Sequence, residues 1–229
     1  MSGRTRSIRT TNITGSARAL DAYRKHVGAG PRGWRAPSFT FSKYSLRYLI
    51  DAGFEYDSSL MGDDIPYALR DGNDSLLEFP VDWTLDDFPH YAHNRDLGYR
   101  MPISSPQRSM EVFRGEFDAV WEFGALWISV WHPALSGRLA RFKAVLELLD
   151  YMRTKGGVWF PRLDQMCDHV QKVMAEGRWT PRYETVPAYQ SPLPEFLQGT
   201  LTRQFRPQSD GREAANGAPL HTRRIYGSP

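Results

Sequence analysis

Cysteine is nearly absent from this sequence: one residue, Cys167, in a chain of 229. A disulfide framework within the chain is therefore excluded. Cys167 falls inside a helical apolar pattern, the place of a small buried hydrophobe rather than a nucleophile. No apolar run approaches the ~18 residues of a membrane-spanning helix, so no membrane partner is expected. The N-terminus lacks the apolar stretch of a secretory signal. It is rich in Arg, Ser and Thr, with no acid before Asp21. A cytoplasmic location is the expectation. No internal repeat is visible.

What is present suits a globular domain. Hydrophobic residues make up 41% of the chain, enough to bury a core. Charge is unevenly spread. Residues 1–35 hold eight Lys/Arg and one acid, residues 178–229 hold seven Arg and four acids, and the middle holds 14 Lys/Arg against 21 acids. The ends are basic and the folded part is acidic, so no nucleic-acid partner is expected. Residues 1–16 read as a disordered basic segment, 17–177 as the folded domain, and 178–229 as an extended or disordered tail where periodicity stops.

The pattern alternates short apolar runs with amphipathic helices. Residues 17–27 suit a helix ended by Gly28, with a short strand at Trp34. Ser42 is placed to cap a helix bearing Leu46, Leu49 and Ile50, stopped by Gly53. Residues 54–56 read as a strand, 57–75 as a loop, and 76–83 as a strand followed by a long connection. Ser105-Pro106 opens a helix with Met110, Phe113, Phe117, Val120 and Trp121 on one face, ended by Gly124. Ala125 to Trp131 reads as a strand buried on both faces. The helix predicted over 136–155 places Leu139, Phe142, Val145, Leu146, Leu149 and Met152 inward. Residues 158–160 read as a short buried strand, and 162–176 as a last helix with Leu163, Met166, Val170 and Met174 inward. This alternation argues for an α/β fold with a parallel sheet of four or five strands.

Several residues are placed for chemistry. His132 follows an apolar run at its C-terminal end, where open α/β sheets and barrels carry functional groups, and an imidazole can serve as a general acid. Arg35 follows another short strand, and a planar guanidinium suits a carboxylate clamp. In Asp82-Trp83-Thr84-Leu85-Asp86-Asp87, Asp82 or Asp86 could orient Arg35 or His132. Trp83 could wall a sugar ring or acyl group, while Asp87 suits a solvated loop. Asp63-Asp64 belong to a loop that could line a cleft. His90 and His93 could share one helical face, yet two ligands make a poor metal site without a third.

These residues carry a family resemblance. The run GWRAPSFTFSKYSLRYLIDAGFEYDSSLMGDD resembles the third conserved segment of the polysaccharide deacetylase (NodB-like, carbohydrate esterase) family. FPVDWTLDD resembles the fourth, and ISVWHPALSGRLARFKAVLELLDYMRTKGGVWF the fifth. The phrasing resembles most the peptidoglycan-deacetylase-like and allantoinase-like branch, over roughly residues 17–175. The resemblance implies a distorted (β/α) barrel that hydrolyses an N-acetyl or related amide bond with a divalent metal, zinc in particular. It implies His132 as the acid that protonates the leaving amine, Arg35 as the clamp on a base Asp, and Asp82 or a neighbour as support. It implies that Trp83 lines the groove; Asp86, Pro37 and Asp64 are further candidate substrate-binding residues. The substrate would be a carbohydrate or a small amide or ureide, and a homo-oligomer fits the branch.

The family's first segment, of the form T-F-D-D-G, supplies the base and a metal-ligand Asp. Its second, H-x-x-x-H, supplies two ligand histidines. Neither form occurs here, so the metal ligands are not found in this chain. The expectation is an incomplete (β/α) barrel without its N-terminal strands, with exposed apolar helix faces and impaired chemistry. A non-catalytic glycan-binding or subunit-completing protein is the alternative. A third reading has His90, His93 and the acids of 82–87 recruit a metal.

Overall fold

A computed structural model describes residues 18–42, 44–94, 99–101 and 103–185. The basic segment 1–16 and the tail beyond 185 lie outside the described residues. Helix α1 (18–27) is followed by Gly28 at φ +82°. Strand β1 (Gly33–Trp34) leads to a 3₁₀ turn (Pro37–Phe39) and helix α2 (Ser45–Asp51). Ser42 does not cap α2 as expected: Tyr44 is the capping residue, and the Ser42 hydroxyl accepts from the Tyr44 N–H at 3.3 Å. Strands β2 (Tyr56–Asp57), β3 (Tyr67–Asp71) and β4 (Asp74–Glu78) precede a 3₁₀ turn (Trp83–Leu85) and helix α3 (Asp87–Tyr91). A short hairpin, β5 (His93–Asn94) and β6 (Tyr99–Arg100), fills the expected long connection. Helices α4 (Pro106–Phe123), α5 (Pro133–Ser136), α6 (Leu139–Thr154) and α7 (Leu163–Ala175) follow, then strand β7 (Tyr183–Thr185).

The sheet runs β1-β2-β4-β3-β7. Strands β1, β2 and β4 are parallel, but β3 is antiparallel to β4 and β7 is parallel to β3. The sheet is thus mixed. The residues read as a loop over 57–75 contain β3, which closes a hairpin on β4 through Gly72 at φ +63°. Asp71-Gly72 supplies the positive φ that tight hairpin turns favour. β7 falls in the region read as tail.

Alternation on the strands feeds two cores. Leu69 and Leu76 pack with Leu46, Leu49 and Phe54 on the α2 face. Leu77 and Phe79 pack with Cys167 and Val170 of α7 on the other. A third cluster joins Leu85, Phe113, Phe117, Leu148 and Met152. Helix α4 starts and ends where the sequence places it: the Ser105 hydroxyl accepts from the Arg108 N–H, and Gly124 is left-handed.

Two apolar runs do not become buried strands. Residues 125–131 are half-buried, and their ladder is a single bridge, Val130 against Asp86. Trp159 and Phe160 are about half exposed. Helix α6 buries Ala144, Val145, Leu148 and Met152, and leaves Leu139 at 90% exposure with Phe142 and Leu146 also exposed. The helix meets α4 along the first set, and no described element covers the second. The sheet is open, the form of an incomplete barrel, and the apolar faces expected from that form are exposed.

Candidate active site

The parallel strands end at Trp34, Asp57 and Glu78, and the residues just beyond them converge. Arg35 leaves β1 and turns across to the segment after β2. Its Nε donates to the Ser58 carbonyl at 2.8 Å and a terminal nitrogen donates to Ser58 Oγ at 2.6 Å. Burial pulls the Arg35 guanidinium down, while the charges of Asp57, Glu78 and Asp86 oppose that shift. The next residue, Ala36, donates its N–H to Ser59 Oγ at 2.8 Å.

After β4 the chain passes through the turn at Trp83 into α3. Asp86 caps that helix, its carboxylate accepting from the Phe88 N–H at 2.7 Å. The Asp86–Val130 bridge brings the chain before His132 alongside, with Asp87 N–H donating to the Val130 carbonyl at 3.0 Å. His132 thereby meets Asp87, whose carboxylate has no exposed surface. One Asp87 oxygen lies 2.6 Å from His132 Nδ1. The other accepts the His132 backbone N–H at 2.9 Å and the Ser136 hydroxyl. Asp86 lies 3.7 Å from the same Nδ1. Burial pushes the Asp86 carboxyl up, opposed by the Phe88 N–H, His132 and Arg35.

The dyad is framed by close backbone and ring contacts. His132 is the residue before α5, whose first residue is Pro133. Gly137 closes the turn into α6, where a Cβ would lie 2.3 Å from the Pro133 carbonyl oxygen. Phe88 flanks the imidazole, with ring centroids 5.5 Å apart. Among the described residues, Nε2 of His132 has no protein partner, and the side chain is 43% exposed. A carboxylate accepts only, so the bond to Asp87 places a proton on Nδ1. Nε2 is the nitrogen left for chemistry.

Trp83 is 44% exposed and meets Phe39 edge-on, centroids 4.7 Å apart. Phe39 ends the 3₁₀ turn opened by the exposed Pro37, and Ser38 and Phe39 both have positive φ, 52° and 53°. Non-glycine residues rarely hold that conformation, and its strain often marks sites.

The structure thus brings Arg35, Asp86 and His132 together, with Trp83 and Pro37 on the turns beside them. It does not bring Asp82 or Asp64 in. Asp82 is exposed, and its carboxylate caps the 3₁₀ turn at Thr84 N–H, 2.6 Å away. The carboxylate supporting His132 is Asp87, not Asp82, and Asp87 is not a solvated loop acid. Asp64 is exposed, and its carbonyl holds the Leu126 N–H at 2.9 Å. Sequence reasoning also missed Ser58, Ser136 and Phe39. A signal existed for Asp87, which stands at the first turn of a helix just after a capping Asp, where carboxylates are favoured. None marked its burial.

His90 and His93 do not converge. Helix α3 ends at Tyr91, so the shared face is lost. His90 Nε2 contacts the Thr84 carbonyl at 3.0 Å, and His93 Nδ1 contacts the Met101 carbonyl at 3.3 Å. Asp86, Asp87 and His132 are a group of possible metal ligands, with donor atoms within 4.8 Å of one another. Their arrangement is that of a hydrogen-bonded dyad instead. Two donors on one tetrahedral zinc lie about 3.3 Å apart, against 2.6 Å between Asp87 and His132 Nδ1. Both Asp87 oxygens are already engaged. As arranged, these three groups do not fit a zinc ion.

An open α/β sheet with its polar groups beyond the parallel strand ends defines the fold class, a partial (β/α) barrel. Comparison with known proteins gives a family resemblance. No protein-family model matches the sequence. A peptidoglycan deacetylase of Helicobacter pylori is 22% identical over 182 residues, 68% of this chain and 62% of that protein. A Mycobacterium smegmatis crystal structure described as a polysaccharide deacetylase superposes with a TM-score of 0.70 at 34% identity, over 78% of this chain and 61% of that one. The structure of Puue allantoinase shares the fold, with a TM-score of 0.63 at 20% identity over 75% of this chain and 55% of that one. The chain resembles the polysaccharide deacetylase family, as its motifs indicate, and spans about 60% of the length of these relatives. The relatives are named as deacetylases and an allantoinase.

Proposed function

We propose that this chain carries the substrate-side half of a hydrolase for an N-acetyl or related amide bond on a carbohydrate. The observation that supports the reading is the His132–Asp87 dyad, held near Arg35 with the imidazole partly exposed. Breaking an amide requires a proton on the leaving nitrogen. Asp87 holds the imidazole by Nδ1, so a protonated ring presents Nε2–H to the leaving group and the buried carboxylate offsets its charge. Arg35 is fixed in a part-buried position by Ser58 and suits a substrate or base carboxylate. Trp83 and Phe39 offer an apolar wall for a sugar ring. A divalent metal, when bound, polarises the amide carbonyl in such chemistry. Asp86, Asp87 and His132 do not supply its ligands in their present arrangement.

The test is acetate release from N-acetylated oligosaccharides of chitin and peptidoglycan, with and without added zinc. His132→Ala is expected to lower turnover by about 10²–10⁴ with little change in KM. A loss confined to KM would remove its role as acid. A second reading is a non-catalytic glycan-binding or subunit-completing protein. It is supported by a candidate ligand set already spent on internal hydrogen bonds and by the exposed apolar side of α6. Saturable, metal-independent glycan binding without acetate release would favour it.

A further inference from the structure

Beneath Arg35 lies a pair of carboxyl groups that the dyad chemistry does not use. Asp57 and Glu78 end two parallel strands, are partners in the ladder and have no exposed surface. Both carboxyls reach the same donor: the Ser59 N–H lies 3.0 Å from an Asp57 oxygen and 2.9 Å from a Glu78 oxygen. The same Glu78 oxygen also accepts the Leu60 N–H at 2.8 Å, and Asp57 accepts the Ser59 hydroxyl at 3.0 Å. The second Glu78 oxygen, Oε2, is buried with no donor among the described residues. Two buried carboxylates sharing one N–H are costly to ionise together, because burial and their mutual repulsion both oppose the second charge. A proton between them resolves both, giving Oε2 a role as donor or acceptor toward Asp57.

We propose that Asp57 and Glu78 share one proton and act as a single anionic unit that positions the Arg35 guanidinium at the site. The proposal deepens the reading of Arg35 as a substrate-side group and rests on it for its functional meaning. The mechanical link is short. The pair fixes the Ser58–Leu60 backbone through Ser59 and Leu60, Ser58 holds Arg35 by its carbonyl and hydroxyl, and Ser59 Oγ receives the Ala36 N–H next to Arg35. The electrical link is direct, since Asp57 and Glu78 are the foremost charges acting on Arg35, ahead of Asp86. Tyr67 of β3 also faces the pair, its hydroxyl pushed up first by burial and then by the Glu78 charge. Burial and the neighbouring Asp57 push Glu78 well above the ordinary carboxylate range, in keeping with a retained proton. Asp57 and Glu78 are positioning residues; neither is placed to touch substrate.

The first test is carbon-13 carboxyl NMR of the unaltered full chain at neutral pH. One protonated and one ionised carboxyl, or one proton averaged over the two, is expected. Two ionised or two protonated carboxyls would overturn the proposal. The second test reads the tie to Arg35. In Arg35→Met, uptake of a second proton by the pair is expected to move to higher pH, because the compensating cation is gone. No movement would overturn the positioning role. The third compares Glu78→Gln, Asp57→Asn and the double variant by urea unfolding at several pH values. Each single variant leaves one anion facing Arg35, so the double variant is expected to lose more stability than the two losses added. Strict additivity would count against a shared charge. None of these readouts involves turnover, so failure of the hydrolase reading and failure of the proton-sharing pair are separately visible.

Discussion

Replacing Asp87 removes three hydrogen bonds at once, two to His132 and one to Ser136, from a carboxylate with no exposed surface. Cutting one partner out of a buried charged pair typically costs about 3–5 kcal/mol. His132 is 43% exposed, so water reaches the stranded imidazole and the lower end of that range applies. Asp87→Ala is therefore expected to destabilise the chain by about 3 kcal/mol. Asp87→Asn keeps one acceptor oxygen in place and should cost about 1–2 kcal/mol. Ser136→Ala leaves both bonds to His132 and should cost about 1 kcal/mol. Urea unfolding reads these directly, since a loss of about 3 kcal/mol lowers the midpoint by roughly 1–3 M. A double-mutant cycle of Asp87→Asn with His132→Ala should return a coupling of about 1 kcal/mol or more. If Asp87→Ala stayed within about 0.5 kcal/mol of the unaltered chain, or the coupling were zero, the dyad would not be the organising contact of the site.

Other expectations follow from particular residues. Gly137→Ala drives a Cβ into the Pro133 carbonyl, 2.3 Å away, and should disturb the turn carrying His132 and Ser136, visible as line shifts of those residues by NMR. Phe113, wholly buried in the cluster between α4 and α6, should cost about 3–5 kcal/mol as Ala, read by denaturant unfolding. The Cys167 thiol is buried and pushed up by that burial to about 11, so a thiol reagent at neutral pH should label it only on unfolding. Glu78 is raised in the fold above its unfolded value. The folded chain therefore holds a proton that the unfolded chain releases, and stability contributed by Glu78 is full below the ordinary carboxylate range and falls as pH rises from there. Glu78→Gln should flatten that fall in unfolding measurements across neutral pH.

Much of the local structure was legible because local chemistry decides it. Ser105-Pro106 and Gly124 bracket α4 as their capping preferences require. Gly28 and Gly53 stop α1 and α2 by taking positive φ. Cys167 and Val170 of α7 are buried where a helical period puts them. The family motifs were legible as strings, and they pointed to Arg35, Asp82, Trp83 and His132 without any geometry.

Partnership was not legible, because it depends on residues far apart in the chain. Tyr67–Asp71 looks like loop amid Asp and Gly, and becomes β3 only because β4 and β7 pair with it on either side. Ala125–Trp131 and Val158–Phe160 have the composition of buried strands, yet a run of apolar residues forms a ladder only where a neighbouring strand supplies donors and acceptors. The same apolar stripe on α6 is split into a buried side against α4 and an exposed side at Leu139, Phe142 and Leu146.

The sequence by itself determined the limits of α4, the family motifs and the two residues, Arg35 and His132, that stand beyond apolar segments ready for chemistry. Only the tertiary structure chose among the acids. Asp82, Asp86 and Asp87 are alike as letters, but the bridge between Asp86 and Val130 lays His132 against Asp87 and leaves Asp82 to cap its own turn. It likewise turned Asp57 and Glu78, two ordinary acids 21 positions apart, into one buried pair beneath Arg35. A carboxylate's role is set by the donors and the dielectric around it, and those arrive with the fold.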